Sequence, residues 1–273
     1  MRKHTCKGPI IDPEKPFFIS IAAPRGSGKT VFINKGLKQK WIKEYDHIYI
    51  ITPSGKLNHD YDEAKKHEHV KLVTDTDKNV INALFNRMYE VKEDVIEREN
   101  NIELGYDLPP LKCPKSLLIL DDCIDSKLFS FHGVVDKIAE RGRHVWLSCI
   151  VSSQRLSAIS RSIRINSDLF IIFCPYQAQE FEQYIEQFVF KHQRLSLYSQ
   201  IEEIFNVDYQ FLFIDNSIRR MGEKLKASNA DDFFNDKCRI LHLESNWRGI
   251  DNPRKKTVTR GCKYPNEKTK KYI

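Results

Sequence analysis

Long apolar runs are missing from this 273-residue sequence. No uninterrupted stretch approaches the roughly 20 residues that a bilayer-spanning helix needs. The first fifteen residues, MRKHTCKGPIIDPEK, lack the apolar core of a signal peptide. A soluble protein made in a cytosol is expected, with no membrane partner. Cysteine usage points the same way. The seven cysteines are odd in number, no two form C-x-x-C, and several stand in apolar stretches where Cys acts as a small hydrophobe. The nearest approach to a zinc set, His4-x-Cys6 with Cys238-x-x-x-His242, lacks the close ligand pairs such a site uses. Internal repeats are absent too. Acids nearly vanish at the end of the chain. Residues 252–273 hold eight basic side chains (Arg254, Lys255, Lys256, Arg260, Lys263, Lys268, Lys270, Lys271) against Glu267 alone, which is the whole formal charge of +7. The body is therefore neutral. The basic end reads either as a solvated, flexible tail or as an arm for phosphate backbones.

What is present alternates. Short runs rich in Ile, Leu, Val and Phe at 17–22, 47–52, 70–73, 116–121, 145–151, 168–173 and 209–215 predict strands buried on both faces. A weaker one falls at 239–243. Helical patterns lie between them. The clearest is the stripe Ile81, Leu84, Phe85, Met88, Val91, Val95, whose spacing predicts a helix packed on a sheet. Alternation of this kind implies an α/β fold, a mostly parallel central sheet with helices on both faces. The expected organisation is an N-terminal extension over 1–16, one domain over 17–215, a C-terminal extension of it over 216–251 and the basic tail.

Residues 23–30 read APRGSGKT, between a predicted strand and a predicted helix. The spacing is that of a P-loop, G-x-x-x-x-G-K-[ST], with Ala23 where the first Gly is expected. Gly26 and Gly28 let the backbone of Pro24, Arg25, Gly26, Ser27 and Gly28 turn N–H groups toward a phosphate. The helix beginning near Lys29 adds its positive end. Lys29 would reach the β- and γ-phosphates of ATP, and Thr30 would offer its hydroxyl to Mg²⁺. Ala at the first position is a mild loss if its φ is negative.

Asp121 lies 92 residues after Lys29, at the end of Leu117-Leu118-Ile119-Leu120-Asp121-Asp122. Four apolar residues and two acids put Asp121 at a C-terminal strand end, placed to hold Mg²⁺ through its water shell. Asp122 would orient and polarise an attacking water. The next strand runs into Ser152-Ser153-Gln154, and Gln154 could hydrogen-bond the γ-phosphate or the water. Arginines flank that strand, among them Arg141, Arg143, Arg155, Arg161 and Arg164. An Arg that reaches a γ-phosphate from a neighbouring copy stabilises transition-state charge. Ion pairs or DNA contacts explain the same residues, and the sequence does not separate these roles.

The ordered set APRGSGKT, Tyr45-Asp46-His47-Ile48-Tyr49-Ile50-Ile51-Thr52-Pro53, LLILDD, Gly142-Arg143-His144, Gln154 and Arg164-Ile165-Asn166 resembles poxvirus-type DNA-packaging ATPases of the FtsK–HerA superfamily. The likeness runs from about residue 17 to 215, and the Asp-Asp ending, in place of Asp-Glu, also resembles that branch. It implies a RecA-like P-loop NTPase, a homo-oligomeric ring (pentamer or hexamer), and ATP-driven movement of double-stranded DNA into a capsid in the host cytoplasm, with a capsid or portal-vertex protein as a further partner. By the same resemblance Lys29 and Thr30 match the phosphate and Mg²⁺ positions, Asp121 the metal-binding Asp, Asp122 the catalytic acid and Gln154 the sensor. Arg143 and Arg164 match family arginines, with the one acting in trans left open. Rival readings are a P-loop nucleoside or nucleotide kinase, an assembly factor that uses ATP only as a switch, and a cellular-type translocase of the same superfamily.

Overall fold

The apolar runs become strands of one sheet in the computed structural model, which describes residues 4–5, 10–12, 14–53, 55, 59–123, 133–174, 178–185, 194–218 and 225–241. In chain order the elements are β1 (His4–Thr5), β2 (Phe18–Ala22), α1 (Lys29–Gly36) continued by a π-helical turn (Leu37–Trp41) into α2 (Ile42–Glu44), β3 (His47–Ile51), β4 (Val70–Val73), α3 (Lys78–Glu103), β5 (Ser116–Leu120), α4 (Val134–Arg141), β6 (Leu147–Ser153), α5 (Arg161–Asn166) and β7 (Leu169–Phe173). They continue with α6 (Ala178–Ile185), α7 (Arg194–Phe205), β8 (Phe211–Asp215), β9 (Leu225–Ser228), α8 (Ala230–Phe234) and β10 (Lys237–Ile240). Among the described residues the sheet has ten strands in the order β1-β10-β9-β8-β7-β2-β6-β5-β3-β4.

The block β4-β3-β5-β6-β2-β7 is parallel throughout. Its strands alternate between two cores, as the two-residue period of a strand requires. Phe18 and Ala22 of β2 and Leu118 and Leu120 of β5 share one core with Ile81, Phe85 and Met88 of α3 and Val135 and Ile138 of α4. Ile19, Ile21, Leu117 and Ile119 face the other, with Phe32 and Ile33 of α1 and Trp41. Both faces are covered, which is why these runs carry apolar residues without polar alternation. The stripe on α3 packs as its spacing predicts, with Ile81, Phe85, Met88 and Val95 buried. Asp77 caps that helix by accepting from the Asn79 N–H.

Beyond β7 the direction reverses. β8 pairs antiparallel with β7, and β9, β10 and β1 extend the sheet antiparallel. Two expectations change here. Residues 209–215 are not all strand: β8 begins at Phe211, while Tyr209 sits in a turn with a left-handed backbone, φ 60. The strand β9 was not anticipated, because Leu225-Lys226-Ala227-Ser228 carries a lysine at its centre. That lysine is buried against Asp215 of β8 at 2.9 Å, so its charge is matched inside the sheet.

Cys123 and Cys149 are buried free thiols, as small hydrophobes should be. Cys238 is disulfide-bonded. Among the described residues no helix is long and apolar enough to cross a membrane. Cys6, His242 and the basic tail lie outside the described residues.

Candidate active site

The loop between β2 and α1 leaves the central strand at its C-terminal end. Gly26 and Gly28 adopt φ +79 and +99, conformations that L side chains rarely take. Ala23 is absent from the positive-φ residues, so Ala is tolerated there. It is fully buried, and its N–H donates to the Ser153 carbonyl of β6 at 2.8 Å. The Ser27 hydroxyl folds back onto the Pro24 carbonyl at 2.7 Å, closing the loop on itself. Lys29 and Thr30 then open α1.

The paired aspartates stand two strands away, since β6 lies between β2 and β5. Lys29 spans the gap. Its Nζ lies 3.4 Å from Asp121 Oδ1 and pairs directly with Asp122 Oδ1. Small residues on the intervening strand allow this. Ser152, opposite Asp121 in the β5–β6 register, donates its hydroxyl to Asp121 Oδ1 at 2.5 Å and accepts from the Asp122 N–H at 3.2 Å. The other carboxylate oxygen of Asp121 accepts from the Tyr61 hydroxyl at 2.7 Å. Burial, and then the Asp121 charge, push the Tyr61 phenol well above its usual range, so it stays a donor. Next in sequence, the Cys123 thiol is pushed up to about 12, first by burial and then by the two aspartates. It remains protonated and donates to the Ile51 and Asp121 carbonyls.

A cavity of about 560 Å³ opens over this arrangement. Loop residues Pro24, Arg25, Gly26 and Gly28 line it with Lys29, Thr30 and Val31 of α1. Asp122, Gln154, Pro53 and Tyr209 complete the wall. Its size suits a nucleotide-scale ligand. Donor chemistry suits a hard cation as well: two carboxylates face one ammonium, and Thr30 and Asp122 line the same cavity.

The structure thus brings the loop, Thr30, Asp121, Asp122 and Gln154 to one sheet edge. It does not bring Arg143 or Arg164 there. Arg143 follows α4 and pairs with Asp168 at 2.9 Å, just ahead of β7, while also donating to the Asn166 carbonyl. Arg164 sits on α5 near the same, opposite edge of the sheet. Three residues at the site were missed. Ser152 was visible only as part of a polar run after a strand. Tyr61 carries no local signal at all. Tyr209 was taken for a buried strand residue, although the turn residues Asn206 and Asp208 before it were a cue.

Similarity to known proteins agrees with this geometry. Solved structures share the fold at low identity. The genome packaging NTPase B204 of Sulfolobus turreted icosahedral virus 2, solved with ATP-gammaS, is 16% identical with a TM-score of 0.52, over 80% of this chain and 98% of that one. The pCW3 conjugation coupling protein TcpA, also with ATPgS, is 14% identical with a TM-score of 0.54, over 92% and 67%. ATPases 2 and 3 of EssC from Geobacillus thermodenitrificans are 16% identical with a TM-score of 0.54, over 83% and 39%. No curated protein sequence matches significantly. The fold, a mostly parallel sheet between helices, is the one these NTPases share. The family profile described as Poxvirus A32 protein matches residues 13–242, and on that match the chain belongs to the poxvirus A32 protein family.

Proposed function

We propose that this chain is an ATP-hydrolysing motor that moves double-stranded DNA into a viral capsid. The observation that carries the reading is Lys29 of the loop lying against Asp121 and Asp122 of a strand two positions away, beneath a nucleotide-sized cavity. Membership of the poxvirus A32 family and the fold shared with a genome packaging NTPase support the biological role.

Each residue has a part. The N–H groups of the loop from Pro24 to Gly28 cradle phosphates, and Lys29 exchanges its aspartate partners for the β- and γ-phosphate oxygens. Thr30 and Asp121 would hold Mg²⁺, which when bound neutralises charge on those oxygens. Ser152 and Tyr61 fix the Asp121 carboxylate by occupying one lone pair on each oxygen. Asp122 sits at the cavity wall, where it orients and polarises water for attack on the γ-phosphorus. Gln154, exposed at the same wall, senses whether the γ-phosphate is present. Arg143 and Arg164 lie away from their own cavity, where residues serving the site of a neighbouring copy in a ring of five or six would lie. Grip on DNA through phosphates suits a motor that must pass any sequence, and the basic tail is suited to contribute to it. Host cytoplasm is the compartment of such work, with a capsid or portal-vertex protein as docking partner.

The test is ATP hydrolysis by the full chain with and without duplex DNA across a salt series, beside a native mass measurement. Stimulation by DNA that fades with salt, together with a ring-sized mass, is expected. A monomer whose hydrolysis ignores DNA at every salt concentration overturns the motor.

A further inference from the structure

Tyr209 occupies a position that the loop chemistry does not require. It is 64% exposed and lines the same cavity as Lys29 and Asp122. Topology puts it there. Because β8 runs antiparallel to β7, with Phe211 opposite Phe173, the turn entering β8 lies at the edge where β2 and β7 end. The ring reaches over the loop: a Cβ added to Gly28 would stand 2.9 Å from Tyr209 Cδ1. Its backbone is left-handed, φ 60, a conformation that costs a bulky residue and suits glycine. In the same cavity lining, Val31 follows Thr30 on α1 and is also 64% exposed, although it is a β-branched apolar residue. A strained aromatic and an exposed valine thus line the cavity that the phosphate-cradling loop forms.

We propose that Tyr209, with Val31, is the base-binding platform of this site: the ring stacks on the base of a nucleoside triphosphate whose phosphates the loop holds. The inference rests on reading the cavity as a triphosphate site. An aromatic platform contacts a π face and reads base identity only weakly, so the ring contributes alike to adenine and guanine nucleotides.

Calorimetric binding to the full chain tests it, with ATP, GTP and inorganic tripolyphosphate, each with Mg²⁺, as probes. Tyr209→Ala should weaken ATP and GTP binding by about 5- to 150-fold, the usual worth of one base–aromatic stack, and leave tripolyphosphate unchanged. Tyr209→Phe should bind all three as the natural chain does. Tyr209→Gly should lose nucleotide affinity as Ala does while melting at no lower temperature, because glycine suits the left-handed backbone. Equal losses for nucleotides and tripolyphosphate would make Tyr209 a prop for the loop and overturn the platform. So would unchanged ATP affinity in Tyr209→Ala, or a loss confined to ATP. If the natural chain takes tripolyphosphate but gains nothing from a base, the platform fails and the phosphate site stands. If it binds none of the three, the triphosphate reading itself fails.

Discussion

Asp122 joins two demands in one residue, a left-handed backbone at φ 54 and a carboxylate set against Lys29. Asn tolerates that backbone as well as Asp does, so Asp122→Asn removes the charge without disturbing the turn. Phosphate release should fall by about 10²–10⁴-fold, the worth of a positioned general base, while nucleotide affinity holds within a few-fold. Single-turnover release alongside equilibrium binding measures both, and unaltered release would remove Asp122 from the chemistry. A second aspartate gives a pH signature. Burial raises the Asp168 carboxyl above its ordinary value, with the Phe18 N–H and Arg143 working in the opposite direction. The folded chain therefore holds that proton more tightly than the unfolded chain does. Its contribution to stability is present below the ordinary Asp range and is lost as pH rises through the raised value. The melting temperature of Asp168→Asn relative to the natural chain should climb from about pH 4 toward neutrality, since Asn never ionises. A difference that stays flat with pH would contradict this.

At the scale of elements, the helix that begins at the loop turns π-helical at Leu37–Trp41, and Gly36 stands at the join. Propensity alone favours Ala over Gly in a helix by about 1 kcal/mol. Packing says otherwise, because a Cβ at Gly36 would lie 2.3 Å from the ring of Trp41, which is fully buried. Overpacking costs about 1–3 kcal/mol, so Gly36→Ala should destabilise on balance and lower the melting temperature by a few degrees. A rise would show that the ring gives way. Elements also mark where sequence reading ran out. The strands flanking the site were legible because burial on both faces writes an unbroken apolar run. The strand β9 was not, because Lys226 interrupts it and the partner that permits burial, Asp215, sits on another strand. Tyr209 was misread because an apolar ring also stands just ahead of β8, in the turn that enters it, where it faces a cavity instead of a core.

For the whole molecule, the distance of Arg143 and Arg164 from their own cavity makes subunit sharing testable. Mixing Asp122→Asn chains with Arg164→Ala chains, each inactive alone, should restore part of the hydrolysis if Arg164 serves a neighbour. An intact Asp122 on one copy then meets an intact Arg164 on the next. The same pairing with Arg143→Ala decides between the two arginines, though Arg143 also holds Asp168. No recovery in either mixture would place both in structural roles.

The sequence by itself determined the local chemistry: the glycine turn before Lys29, the acids at a strand end, the alternation of buried strand and helix. These are written in neighbouring residues, through backbone freedom and the burial pattern. Only the tertiary structure decided that β6 would stand between loop and aspartates with its Ser152 holding both acids, that Tyr61 would clasp Asp121, and that a reversed β8 would deliver Tyr209 to the same edge. Strand order and direction come from packing between segments far apart in the chain, and a two-residue period looks the same whichever way a strand runs.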